Sequence, residues 1–361
     1  MKREEKLLFK NLCCFKSKEF DSDMLKYASP NVLGCLFYNR MAGVAYGVLK
    51  ANNVLNRVNR EFRNALRGAY DNNIEKNKSF FYCVNYLDGI LKKHIGRYAL
   101  LKGAVLCGEY PEGYRTSNDI DILANVKDIT AIGKTLTEEG FKQGKIINDR
   151  FIPATRQEII ESKMTRGETV PYIRQMGLPG FDYLEVDLNF SLDYKNSDDY
   201  TVTSMLDNVA YFHNENVSVQ SLCAEDFFIH LCGHLYKEVS TLAWVRMKRD
   251  MTLYKYCDIY MLLDEMSSIE TERVFEKAEK YNMKKECACA VLQTCTLFGN
   301  CNAFAFQKSK NIISDDKNFI HSVISPGDNK VYVYKNKNIK ERFYMDNRIE
   351  NLREVINDEK T

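Results

Sequence analysis

Asp119-Ile120-Asp121-Ile122-Leu123 alternates acid and aliphatic, and Phe181–Phe190 (F-D-Y-L-E-V-D-L-N-F) repeats the pattern. Strict alternation marks a strand with one face in a core and the other wetter. These two stretches constrain the fold most, because each demands a sheet with aliphatics on one side and carboxylates on the other. Between them, Asp128–Gly140 reads as a helix, with Asp128 as its cap and Gly140 as its stop. Strand, helix, strand predicts an α/β (α+β) core: a small mixed sheet with helices on one side.

The flanks read as helix. Apolar residues recur at spacings of three and four through Leu7, Leu8, Leu12 and Phe15, again through Leu33–Val48, and again from Phe62 to Leu91. The texture changes at Tyr98–Leu101, a short apolar run followed by Lys102-Gly103-Ala104 and a loop with Gly108, Pro111 and Gly113. Residues 141–180 are poorly patterned. From Ser221, taken as a helix cap with Glu225 and Asp226 in the first turn, the chain returns to helix. Further helices are expected at about 250–266, 271–281 and 285–299, then a strand at Val331–Tyr334 and a charged helix over 338–357. The expected organisation is a helical region 1–95, a catalytic core 96–220, a helical domain 221–305 and a polar extension 306–361.

Composition bounds the rest. The chain has 361 residues, 45% of them hydrophobic and 28% charged, which is globular. A net charge of +2 argues against a surface built to coat a long nucleic acid. Twelve cysteines contain no C-x-x-C pair, so a zinc ribbon is not expected. The opening M-K-R-E-E-K has no apolar run suited to a signal peptide, and no stretch is apolar enough to span a membrane. A cytoplasmic protein with reduced thiols and no membrane partner is the expectation.

Period two places Asp119 and Asp121 on one strand face, where their mutual repulsion is costly without a cation. Magnesium, or manganese, suits such a pair, since it takes few protein carboxylates and completes its shell with water and phosphate oxygens. Glu185 and Asp187 share a face of the second strand. If the strands are neighbours, Asp187 completes a three-carboxylate set, with Glu185 as its rival, able to hold the two ions used for phosphoryl-type displacement. An acid pair alone is more often solvated surface; the surroundings of this one give it meaning.

Lys102-Gly103, then Arg115-x-Ser117-x-Asp119-Ile120-Asp121, then Glu185-Val186-Asp187-Leu188 resembles the nucleotidyltransferase superfamily with the DNA polymerase beta-like fold. The resemblance is nearest to the branch described as uncharacterised nucleotidyltransferases. It extends through Leu222–His234 and Tyr256–Leu263, covering about residues 80–300. It implies transfer of a nucleoside monophosphate from an NTP to an acceptor, with release of pyrophosphate. Asp119, Asp121 and Asp187 would bind the ions, while Lys102, Gly103, Arg115 and Ser117 would hold the triphosphate. The helical domain would complete the cleft, with His234 and Asp258 as nucleotide-binding candidates. One departure is Ala104, where most of the superfamily has a phosphate-binding serine; nucleotidyltransferase toxins of abortive-infection systems share the R-x-S-x-D-x-D arrangement. The expected acceptor is a small molecule or peptide. The alternatives are a toxin-like enzyme acting on tRNA or protein, and a catalytically inactive interaction module.

Other clusters read more plainly. His230, Cys232 and His234 share a helix, but no fourth ligand accompanies them, so packing is the simpler role. Lys255 and Asp258 can pair along one helix. Arg246, Lys248 and Arg249, beside Trp244, read as a solvated basic face that could also meet RNA or triphosphate.

Overall fold

The computed structural model describes residues 1–17, 19–93, 97–165, 167–192, 200–299 and 301–355. It is 56% helix and 17% strand, the mixed α/β content expected of a nucleotidyltransferase. Two compact units are present: one formed by Met1–Ala65 with Phe228–Thr361, the other by Leu66–Phe227. The boundary expected at residues 95/96 lies outside the described residues.

The first unit begins with α1 (Arg3–Cys13), α2 (Pro30–Tyr38) and α3 (Ala42–Ala51), and α4 (Arg60–Leu91) leads out of it. Ser29 caps α2 by accepting from the Val32 amide, with Pro30 in the first turn where its missing N–H costs nothing.

The second unit carries the main sheet. Its elements after α4 are β1 (Tyr98–Leu100), α5 (Gly103–Glu109), β2 (Asp119–Ala124), α6 (Ile129–Glu138), β3 (Lys142–Ile147), β4 (Arg150–Pro153), α7 (Arg156–Thr165), β5 (Tyr172–Leu178) and β6 (Phe181–Asn189). The strand order is β1-β2-β6-β5-β3-β4, with β2 and β6 parallel and the other pairs antiparallel. Both alternating stretches are therefore strands, and they are adjacent. Ile120, Ile122, Leu184, Val186 and Leu188 are fully buried in one core with Phe80, Val84, Leu87 and Ala104. That burial fixes register, since a slip of one residue would turn every aliphatic out and every acid in.

The unpatterned 141–180 stretch holds β3, β4, α7 and β5. Its hairpin is largely exposed, which removes the alternation that would reveal it. After α8 (Tyr200–Asp207), β7 (Val209–His213) and β8 (Ser218–Leu222) form a second hairpin. Ser221 is not a helix cap: it lies in β8, and its hydroxyl donates to the Leu100 carbonyl at 2.6 Å. The helix begins later, as α9 (Ala224–Val239).

The first unit resumes with α10 (Leu242–Arg246), α11 (Leu253–Glu265), α12 (Ser268–Lys280), α13 (Lys284–Phe298) and α14 (Ala303–Ile313). Ser267 and Glu270 form a reciprocal capping box at α12. A three-stranded sheet follows, built from β9 (Ser322–Ser325), β10 (Lys330–Tyr334) and β11 (Leu352–Glu354). The expected 338–357 helix is reduced to α15 (Ile339–Phe343), capped by Asn338; residues 356–357 are outside the described residues. No single described helix is long and apolar enough to cross a membrane.

Candidate active site

β2 and β6 pair in register, Asp119 opposite Glu185 and Asp121 opposite Asp187. Neighbouring strands lie about 4.8 Å apart and side chains repeat along one face about every 6.6 Å. Four carboxylates thus stand on one small patch, opposite the aliphatic face. A fifth, Glu168, comes to its edge through an isolated bridge to Asn189, and its charge acts on Asp121. Asn189 continues the same strand face, its Nδ2 lying 3.3 Å from the Asp187 carbonyl and 3.5 Å from Asp121 Oδ1.

The carboxylates strain one another. Burial, then the charges of Asp121, Asp119 and Glu185, pushes the Asp187 carboxyl well above the usual carboxylate range; Lys102 opposes this. Burial and the charges of Asp119 and Asp121 raise Glu185. Asp121 is raised chiefly by burial and held back by Lys102, whose Nζ lies 2.7 Å from Asp121 Oδ1. As they stand, no three His, Cys, Asp or Glu side chains among the described residues converge to metal-binding distance. The donor set is nonetheless of the kind a hard cation takes: clustered, partly desolvated carboxylate oxygens whose repulsion a cation would relieve.

Lys102 reaches Asp121 from an unusual backbone conformation, with φ 44° and ψ −113°. A non-glycine residue held at positive φ costs about 1–3 kcal/mol and tends to mark a functional position. Gly103, next in sequence, opens α5 in contact with Ser117: a Cβ at Gly103 would lie 2.6 Å from both Cβ and Oγ of Ser117. Ser117 Oγ donates to Asp119 Oδ1 at 2.8 Å. The Lys-Gly and R-x-S motifs are thus one assembly, each positioning one of the β2 aspartates. Ala104 is fully buried in the core, so its methyl is a packing group.

α4 clamps the loop that carries Arg115 and Ser117. Asn73 Nδ2 donates to the Gly113 carbonyl at 2.9 Å, and Asn77 Nδ2 to the Arg115 carbonyl at 2.8 Å. Lys76 Nζ bonds Asn118 Oδ1. Gly113, at φ +78°, leaves room for the Tyr70 ring, which a Cβ there would meet at 2.5 Å. Positions 70, 73 and 77 recur at helical spacing, so one face of α4 grips the loop. Arg115 turns its guanidinium onto the Thr116 carbonyl.

A family model described as "Uncharacterised nucleotidyltransferase" matches residues 30–299, well over half of the chain. The chain belongs to this nucleotidyltransferase family. No curated protein matches it. The family span includes α4, the Lys102-Gly103 turn and both acid strands, and ends before α14.

The structure brings together Lys102, Gly103, Ser117, Asp119, Asp121 and Asp187, sets Glu185, named as the rival of Asp187, beside them, and adds Glu168 and Asn189. Asn189 was legible as the next residue on the acid face; Glu168 carries no local signal, because backbone pairing of its segment with the end of β6 brings it in. His234 and Asp258 belong to the other unit. His234 Nε2 is 3.5 Å from Glu238, which also pairs with Lys255, and Asp258 is buried in α11. Lys255 lies over the Trp244 ring at 5.0 Å.

Proposed function

We propose that this nucleotidyltransferase moves a nucleoside monophosphate from an NTP to an acceptor hydroxyl, releasing pyrophosphate, with divalent metal held by Asp119, Asp121 and Asp187. The observation that carries this reading is the parallel, in-register pairing of Asp119–Asp121 with Glu185–Asp187, under Lys102 and Ser117. Bound magnesium or manganese would supply charge neutralisation for the triphosphate and acidify the attacking hydroxyl. Lys102, Arg115 and Ser117, with the Gly103 backbone, bind phosphate oxygens and hold the α-phosphorus in line for attack. Asp187 accepts the acceptor's proton as its oxygen bonds to phosphorus and the bond to pyrophosphate breaks.

A net charge of +2 favours a small molecule or peptide as acceptor. An acceptor tRNA is the second reading, favoured by the exposure of Arg246, Lys248 and Arg249. The test incubates the protein with each labelled NTP, magnesium or manganese, and cell extract. Label in the small-molecule or peptide fraction supports the first reading, and label on RNA the second. Absence of nucleotide binding with metal, together with no effect of Asp119→Ala, removes the enzyme reading.

A further inference from the structure

A second concentration of unspent charge lies in the other unit, beyond the family span. Arg342 on α15 is 1% exposed, yet its Nε and Nη1 have no hydrogen-bond partner. Its guanidinium lies over the Tyr334 ring at 4.4 Å. The nearby carboxylate, Asp250, is already taken. Arg348 grips it with two bonds, Nη2 to Oδ1 at 2.7 Å and Nε to Oδ2 at 2.8 Å, and the Tyr334 hydroxyl lies 3.4 Å from Oδ2. Tyr256 and Cys289 also feel the Arg342 charge, but burial pushes both up, Cys289 to about 12, so neither supplies a negative partner. Tyr256 donates instead to Gln293 Oε1 at 2.9 Å.

Two further groups extend the cluster. His321 is buried with Nδ1 unpartnered, and its pKa is lowered to about 3 by burial and by the charges of Arg342 and Lys337, so its imidazole is neutral. Lys337, exposed near the surface, donates to Asn318 Oδ1 at 3.0 Å and has no ion-pair partner among the described residues. Burial, Arg342 and Arg353 all weigh against its charge. A desolvated guanidinium with two unpartnered N–H groups, its nearby carboxylate already held by Arg348, is costly, and the charge of Lys337 makes matters worse.

We infer that Arg342, Lys337 and His321 form an anion site for a phosphate dianion, either inorganic phosphate or the phosphomonoester of a larger molecule. Arg342 and Lys337, neither in an ion pair among the described residues, suit a doubly charged anion. A guanidinium matches phosphate oxygens in geometry, an exposed lysine serves as the entry contact, and a neutral imidazole adds one N–H. The site is distinct from the acid patch of β2 and β6, and its existence does not depend on the transfer reaction.

The test is calorimetric titration of the full chain with inorganic phosphate and, separately, with AMP, at constant ionic strength set by chloride. Lys337→Ala, on an exposed side chain, keeps the fold; Arg342→Gln is the stronger variant, and Lys102→Ala is the control for phosphate bound at the acid patch. The inference expects phosphate, AMP or both to bind the wild-type chain. Lys337→Ala should weaken that binding about tenfold, Arg342→Gln should abolish it, and Lys102→Ala should leave it intact. Which ligand binds distinguishes free phosphate from a phosphomonoester. Binding of neither, binding unchanged by Lys337→Ala, or binding lost only with Lys102→Ala overturns it.

Discussion

Gly103 and Ser117 are in contact so close that a single methyl group cannot be placed between them: the Cβ of any residue at 103 would lie 2.6 Å from Ser117 Cβ. Gly103→Ala must therefore push Ser117 away, and with it the 2.8 Å bond to Asp119. We expect a loss of about 1–3 kcal/mol in stability from overpacking. Because displacements near 1 Å can cost about a hundredfold in rate, nucleotidyl transfer should fall by at least that factor. The double variant Gly103→Ala with Ser117→Gly should recover stability in urea titration without recovering activity.

Asp187→Asn should separate stability from function. Its carboxyl is raised by burial and by three neighbouring acids, so the metal-free fold holds it under repulsion. Removing that charge should stabilise the protein in EDTA by about 0.5–2 kcal/mol while abolishing transfer. Thermal unfolding with and without EDTA reads the first effect and label incorporation the second. A destabilised variant would contradict the repulsion.

The same acids set a pH dependence. Asp121, Asp187 and Glu185 all have folded-state values raised above their ordinary ones of 3.8, 3.8 and 4.5. The folded state then binds more protons than the unfolded chain once pH exceeds these ordinary values. Their contribution to stability is full below that window and is lost as pH rises through the raised values. In EDTA, wild type should therefore lose more thermal stability between pH 5 and pH 8 than Asp187→Asn does. Added magnesium should narrow the difference.

Lys102→Met removes the cation 2.7 Å from Asp121 Oδ1 and leaves a nearly buried carboxylate unpaired. A cost of about 1–3 kcal/mol in EDTA is expected, partly restored by magnesium. If Lys102 holds phosphate as proposed, KM for NTP should rise as well. A variant as stable as wild type in EDTA would show that the pair carries no energy.

Asn77→Ala probes the α4 clamp. Losing the 2.8 Å bond to the Arg115 carbonyl should cost about 1 kcal/mol and loosen the loop. Steady-state kinetics should then show a higher KM for NTP with a smaller change in kcat. An effect on kcat alone would separate Asn77 from the phosphate loop.

What was legible in the chain was whatever a few consecutive residues encode. Asp119–Leu123 and Phe181–Phe190 showed their strands and their acid faces, because period two is written locally. Residues 142–153 did not: Gly144, where a Cβ would meet the Ile152 carbonyl at 2.2 Å, and a mostly exposed hairpin leave no alternation to read. Ser221 resembled a cap because a serine with acids in the turn that follows commonly is one, whereas its hydroxyl serves the Leu100 carbonyl. The charged composition of 338–357 mimicked a helix, but Arg348 is drawn to the buried Asp250 and Leu352–Glu354 pairs with β10.

Sequence alone determined the kind of chemistry: carboxylates in alternation with aliphatics, a Lys-Gly turn and an Arg-x-Ser loop, together marking a nucleotidyltransferase. The tertiary structure decided which acids stand together. It set Asp121 beside Asp187, brought Glu168 in by pairing its segment with the end of β6, and made Gly103 obligatory by closing it on Ser117. It also buried Arg342 with Nε and Nη1 unpartnered. The difference is one of range. Periodicity and capping depend on neighbours in the chain, whereas strand register and uncompensated charge depend on burial that gathers residues from distant segments.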